Sequence, residues 1–144
     1  MYDDILVPTD GGEQMEEVID QAVAIAADRG ATLHGISVID KGVFLTLDEH
    51  LKDAVEEELT TEAQEAVDEL SAAADDADLE SEAVVRRGRP GEEIRAYADE
   101  VGADLIVMGT RGADSHERRM LGSVSQDVVT ESTLPVLVIP LEDD

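Results

Sequence analysis

Asp104-Leu105-Ile106-Val107-Met108 is an apolar run opened by one acidic residue and closed by Gly109. It is too short for a packed helix and carries two β-branched side chains in its centre, so it reads as a strand buried on both faces. Strands of that kind belong to parallel sheets covered by helices. Working outward, Ile5-Leu6-Val7 is a second such run, closed by Pro8-Thr9-Asp10-Gly11-Gly12. Residues 31–39, with Leu33, Ile36, Val38 and Ile39, read as another strand, as do residues 79–85 and Pro135-Val136-Leu137-Val138-Ile139-Pro140.

The intervening segments change to helical periodicity. Met15, Val18, Ile19, Ala22, Val23 and Ala26 share one face between Glu13 and Asp28, and Gly30 follows as a glycine cap. Leu51, Val55, Leu59, Ala63, Ala66 and Leu70 mark a long acidic helix over 48–74, whose Glu56-Glu57-Glu58 run reads as a solvated face. Gly88-Arg89-Pro90-Gly91 turns into a short helix carrying Ile94, Ala98 and Val101, with Pro90 where its missing N–H costs nothing. Residues 123–131 form a fourth helix, and residues 41–47 read as a loop. The order βαβαβαβαβ predicts a Rossmann-like α/β fold: a three-layer open sandwich with a five-stranded, mostly parallel sheet. No linker, low-complexity segment or repeat divides residues 1–144, so one domain is expected.

Charge bounds the function. Ten Lys and Arg against 36 Asp and Glu give a formal net charge of -26. Neutralising nucleic-acid phosphates or an anionic membrane surface needs a basic face, so both partners are disfavoured. Disordered acidic chains lack apolar periodicity, whereas this chain has it throughout; the acidity points instead to a salt-adapted, halophilic proteome. In molar salt the Debye length is about 3 Å and self-repulsion is screened. The absence of cysteine excludes disulfides and thiol chemistry. No apolar stretch reaches signal or membrane length, and the expected location is the cytoplasm.

Ligands of open parallel sheets sit outside the carboxyl ends of the strands, where the strand order reverses. Two such ends carry unusual loops here, Pro8 to Gly12 and Gly109 to Ser125. In the second, Gly109-Thr110-Arg111-Gly112 is followed after nine residues by Gly122-Ser123-Val124-Ser125, which opens a helix. Gly109 and Gly112 let backbone amides approach an anion, the helix start offers free N–H groups, and Ser123 and Ser125 add hydroxyls. Arg111, Arg118 and Arg119 place three of the ten basic residues in this stretch. The combination suits a polyphosphate. Turn formation and an N-cap at Ser123 account for the same residues taken singly. Neither GxxxxGK[ST] nor GxGxxG occurs.

Gly109, two residues, Gly112, nine residues, then Gly122-Ser123, together with Val7-Pro8-Thr9-Asp10, resembles the nucleotide-binding branch of the universal stress protein family. The resemblance implies strand order 3-2-1-4-5, ATP as ligand and a homodimer joined through the last strand, Val136 to Ile139. It also implies that Asp10 contacts the ribose or adenine end, that Pro8 and Thr9 line the base pocket and that Val38 closes over adenine. Met108, Gly109 and Gly112 would flank ribose and phosphates, and Gly122, Ser123 and Val124 would hold the phosphates. Asp10 as a cap of the first helix, and Val38 and Met108 as plain core, are the competing readings. A departure from the family is Ala113-Asp114-Ser115-His116-Glu117, whose carboxylates either oppose ATP or recruit Mg²⁺.

No catalytic apparatus is evident. Ser115-His116 are sequence neighbours without an orienting acid, and His34 and His50 are scattered, with no zinc spacing. The expected function is an ATP-binding regulatory module in which the ligand orders the stretch from Gly109 to Gly122. The alternatives are a slow Mg²⁺-dependent ATPase or phosphotransferase, and a nucleotide-free dimerisation or chaperone-like domain.

Overall fold

The computed structural model describes residues 2–12, 14–110 and 123–140. The strands are β1 (Asp4–Pro8), β2 (Thr32–Asp40), β3 (Ser81–Gly88), β4 (Leu105–Gly109) and β5 (Val136–Ile139). The helices are α1 (Met15–Arg29), α2 (Glu49–Asp76), α3 (Pro90–Val101) and α4 (Ser123–Glu131). The five strands form one sheet of order β3-β2-β1-β4-β5, and each neighbouring pair runs parallel. The expected architecture is therefore the observed one.

Alternation along the strands sorts the core into two layers. Ile5, Val7, Leu33, Leu105 and Val107 face α1 and α2, where they meet Val18, Ala22, Ala26, Leu70 and Ala74. Leu6, Ile36, Ile106 and Met108 face α3 and α4, meeting Ile94, Tyr97, Ala98 and Val128. Leu6 and its two neighbours in β1 are fully buried, because this strand lies at the centre of the sheet and is covered on both faces. Gly30 ends α1 at φ 68° and donates to the Ala26 carbonyl, the glycine cap read from the sequence.

Four local readings change. Residues 41–46 form a 3₁₀ helix rather than a loop, because Asp40 caps it by accepting from the Gly42 amide at 2.9 Å. β3 begins later and runs on to Gly88, since Arg86 and Arg87 are held by partners on neighbouring elements. Glu56 leaves the solvated face of α2 to pair with Arg87. Leu51 is exposed, because the packed stripe of α2 becomes fully buried only from Ala63 onward.

His34 is buried beside Tyr97, and its Nε2 lies 2.9 Å from the Asp4 carboxylate. The Arg86 guanidinium also stacks against Tyr97, 4.9 Å from the ring centroid, and donates two 2.6 Å hydrogen bonds to Glu100. This bidentate grip holds the Glu100 carboxyl below its ordinary pKa of 4.5. Burial is the main cause that raises the Tyr97 phenol, with the nearby Glu82 charge adding to it. A depressed carboxyl stabilises the fold above its unfolded pKa and ceases to do so as pH falls through its folded value. Glu100→Gln is accordingly expected to lower the melting temperature at neutral pH. The difference from the parent protein should vanish on acidification below the carboxylate range, a comparison made by thermal melts across pH.

Candidate functional site

β1 lies between β2 and β4, and the chain leaves β1 and β4 toward opposite faces of the sheet. α1 covers one face and α4 the other, so a crevice opens between the carboxyl ends of β1 and β4. Of the two loops singled out in the sequence, residues 8–12 follow β1 there, and Gly109, Thr110 and the start of α4 are the described ends of the other.

On the β1 side, the Thr9 amide donates to the Ile36 carbonyl at 2.9 Å, continuing the sheet one residue beyond Pro8. Pro8 and Thr9 are buried, whereas Asp10 is exposed at the rim. Thr9 Oγ1 accepts from the Gly11 amide at 3.3 Å, and Asp10 Oδ1 accepts from the Gly12 amide at 3.0 Å. These two side-chain bonds fold the chain into a tight bend. α1 starts only after Gln14, which occupies its N-cap position, so Asp10 does not cap this helix. Gly11 adopts φ +79°, and a Cβ there would sit 3.2 Å from the Ala66 Cβ of α2. The bend is thus seated directly on α2, which needs glycine for both the conformation and the contact.

On the β4 side, Met108 is buried among Leu6, Ile36 and Val128, and the half-buried Val38 and Val124 pack against this group. Gly109 ends the strand, and the next amide, Thr110, donates to Ile139 at 3.1 Å. Ser125 is buried, with its hydroxyl donating to the Thr110 carbonyl at 2.8 Å. That bond ties the first turn of α4 to the end of β4, and it gives Ser125 a positioning role the sequence did not suggest. The partners lie fifteen residues apart across the intervening loop, beyond the reach of any local pattern. Ser123 is the first residue of α4, so the helix amino terminus opens at the crevice. Arg111, Gly112 and Gly122 lie outside the described residues, as do Arg118, Arg119 and the 113–117 stretch.

The sequence profile of the universal stress protein family matches residues 1–140. Universal stress protein MJ0531 of Methanocaldococcus jannaschii is 35% identical over 140 residues, a span covering 96% of this chain and 82% of that one. The chain belongs to the universal stress protein family. Among solved structures of similar proteins, MJ0577 of the same organism superposes with a TM-score of 0.87 at 29% identity, covering 96% of both chains. A universal stress protein from Archaeoglobus fulgidus, solved in complex with dAMP, gives 0.72 at 25% identity, covering 96% of this chain and 98% of that one. Another universal stress protein, solved in complex with cAMP, gives 0.68 at 27% identity and 96% coverage of both.

Of the site residues expected from the sequence, Pro8, Thr9, Asp10, Met108, Gly109, Ser123 and Ser125 stand at the carboxyl-end edge of the sheet or at the helix start that faces it. Val38 and Val124 stand beside them, in the apolar layer under α3 and α4. The seat of Gly11 on α2 was legible only as a double glycine after Asp10.

Gly11→Ala combines a left-handed backbone with a crowded Cβ, and is expected to cost about 1–3 kcal/mol. Gly30→Ala shares the conformational penalty, but its Cβ would meet nothing within 4 Å. Denaturant melts of the two variants should therefore rank Gly11→Ala as the more destabilised.

Proposed function

We propose that this universal stress protein is an adenine-nucleotide-binding regulatory module whose ligand is ATP. The observation that carries the reading is the strand order that sets β1 beside β4, with Asp10 following β1 and the start of α4 tied to the end of β4 through Ser125. Related proteins solved with dAMP and with cAMP support the adenine nucleotide class.

The apolar Val38 and Met108 offer a surface for the base, with Pro8 and Thr9 beside it, while Asp10 accepts from ribose hydroxyls. Gly109, Arg111, Gly112, Gly122, Ser123 and Val124 take the phosphates, through backbone amides, the helix dipole and the one guanidinium. Ser125 supports them by fixing α4 to the end of β4. No group of three or more His, Cys, Asp or Glu side chains gathers to hold a metal among the described residues. Mg²⁺, when present, would enter with the phosphates, and Asp10 or the loop acids Asp114 and Glu117 are the carboxylates the sequence offers to help hold it. The proposed setting is a salt-rich cytoplasm. Among the described residues no helix is long and apolar enough to cross a membrane.

The proposed assembly is a homodimer through β5. The two edges of the sheet differ sharply. β3 carries Glu82, Arg86 and Arg87, charges of the kind that blunt an edge against pairing, whereas Val136-Leu137-Val138-Ile139 carries none. In a chain of net charge -26, an uncharged edge is where two copies approach with least repulsion.

Calorimetric titration in high salt is expected to show ATP binding, weakened about tenfold, or ~1.4 kcal/mol, by Asp10→Asn. Unchanged affinity in that variant would remove Asp10 from the site, and ADP accumulating during the titration would favour turnover over binding. Val138→Lys is expected to give a monomer by light scattering, and a dimer of that variant would place the interface elsewhere.

A further inference from the structure

Gly91 is buried in the first turn of α3, although glycine is a poor helix residue and no left-handed backbone calls for it there. Its place is explained by α4. A Cβ on Gly91 would overlap the Asp127 carboxylate, with the Asp127 Cγ at 2.7 Å and its Cβ at 3.2 Å. Only a residue without a side chain lets α4 come this close.

Two interactions hold Asp127 in this seat. Its carboxylate lies at the amino end of α3, where the helix dipole favours negative charge. Arg95 Nη2 stands 3.6 Å from Asp127 Oδ2, while Arg95 Nε donates to the Gly91 carbonyl at 3.2 Å. Arg95 thus grips both sides of the contact, its own helix and α4. Asp127 follows Ser125 by two residues, about 200° further round the helix. α4 is therefore fastened on two sides, by Ser125 to the end of β4 and by Asp127 to the start of α3.

Two attachments on different sides fix both the place and the rotation of the first turn of α4, where Ser123 and Val124 would meet the phosphates. Hydrogen bonds weaken steeply with misalignment, so a loose first turn holds an anion poorly. We propose, on the nucleotide reading given above, that Asp127, seated on Gly91 and held by Arg95, is a positioning residue for the phosphate end of the ligand. It acts through α4 and not by touching the nucleotide. The base and ribose end is assigned to Pro8, Thr9, Asp10, Val38 and Met108, none of which α4 carries.

Gly91→Ala, Asp127→Ala and the double variant break the same contact by different routes. Titration in high salt is expected to show ATP weakened about fivefold in each, with the double variant no worse than either single one. Adenosine, measured by displacement of ATP, is expected to bind these variants and the unmodified protein alike, which also shows that each variant is folded. Removing the Asp127 charge from a chain of net charge -26 favours an anion by charge alone, so a loss in Asp127→Ala reports position. Unchanged or tighter ATP binding in that variant overturns the proposal, as does an equal loss of adenosine. Losses that multiply in the double variant overturn the contact between Gly91 and Asp127 as their cause. Should Gly91→Ala not fold, Asp127→Asn decides, because it has the charge of Asp127→Ala but keeps the shape over Gly91 and an acceptor for Arg95. It is expected to bind ATP more tightly than Asp127→Ala, and equal weakness of the two overturns the proposal. If the unmodified protein takes up no ATP, the nucleotide reading itself falls, an outcome seen before any variant is compared.

Discussion

Burial of β1 on both faces is the constraint from which the rest follows. Ile5, Leu6 and Val7 have no access to solvent, so one layer of helices must cover Ile5 and Val7 and another must cover Leu6. Two layers can be supplied only if successive crossovers pass on different sides of the sheet, and that divergence opens the crevice at the ends of β1 and β4. The site is thus a by-product of covering the central strand. In the site proposed there, residues whose first duty is to the core, such as Met108, stand near residues of the bend that follows β1.

The core that does the covering is built almost without aromatic side chains. Ala22, Ala26, Ala63, Ala66, Ala74 and Ala98 are buried on the helix faces, so the helices lie close to the sheet. The contact between Gly11 and Ala66 is a direct result, since a larger residue on α2 would push the bend away. Charge is kept outside this core, where a few arginines gather acids around them. Arg86 joins β3 to α3 through Glu100, and Arg87 joins β3 to α2 through Glu56. Exposed pairs of this kind contribute little individually, but here they fasten an edge strand to both helical layers.

Element type was legible because the strands are short continuous apolar runs and the helices keep a steady apolar stripe. The ends of elements were less legible, for specific reasons. β3 outlasts its apolar run because Arg86 and Arg87 stay in the strand on the strength of partners fourteen and thirty-one residues away in sequence, which no local pattern reveals. The 3₁₀ helix depends on one capping bond from Asp40. At the site, Thr9, Asp10 and the start of α4 were readable as strand-end and helix-start chemistry. The bond from Ser125 to Thr110 was not, because it closes across a loop.

The chain has no tryptophan and two tyrosines, of which Tyr2 lies at the start of β1, at the opposite end of that strand from the crevice. Tyr97 touches His34, near the start of β2, and Arg86, while Tyr2 precedes β1 and lies under Arg29 at the groove beside β5. Intrinsic ultraviolet emission from this protein therefore reports on unfolding, and through Tyr2 on the surroundings of β5. The Tyr2 part of that signal is poorly placed to sense a ligand in the crevice, so occupancy there is better followed through heat, mass or a labelled nucleotide.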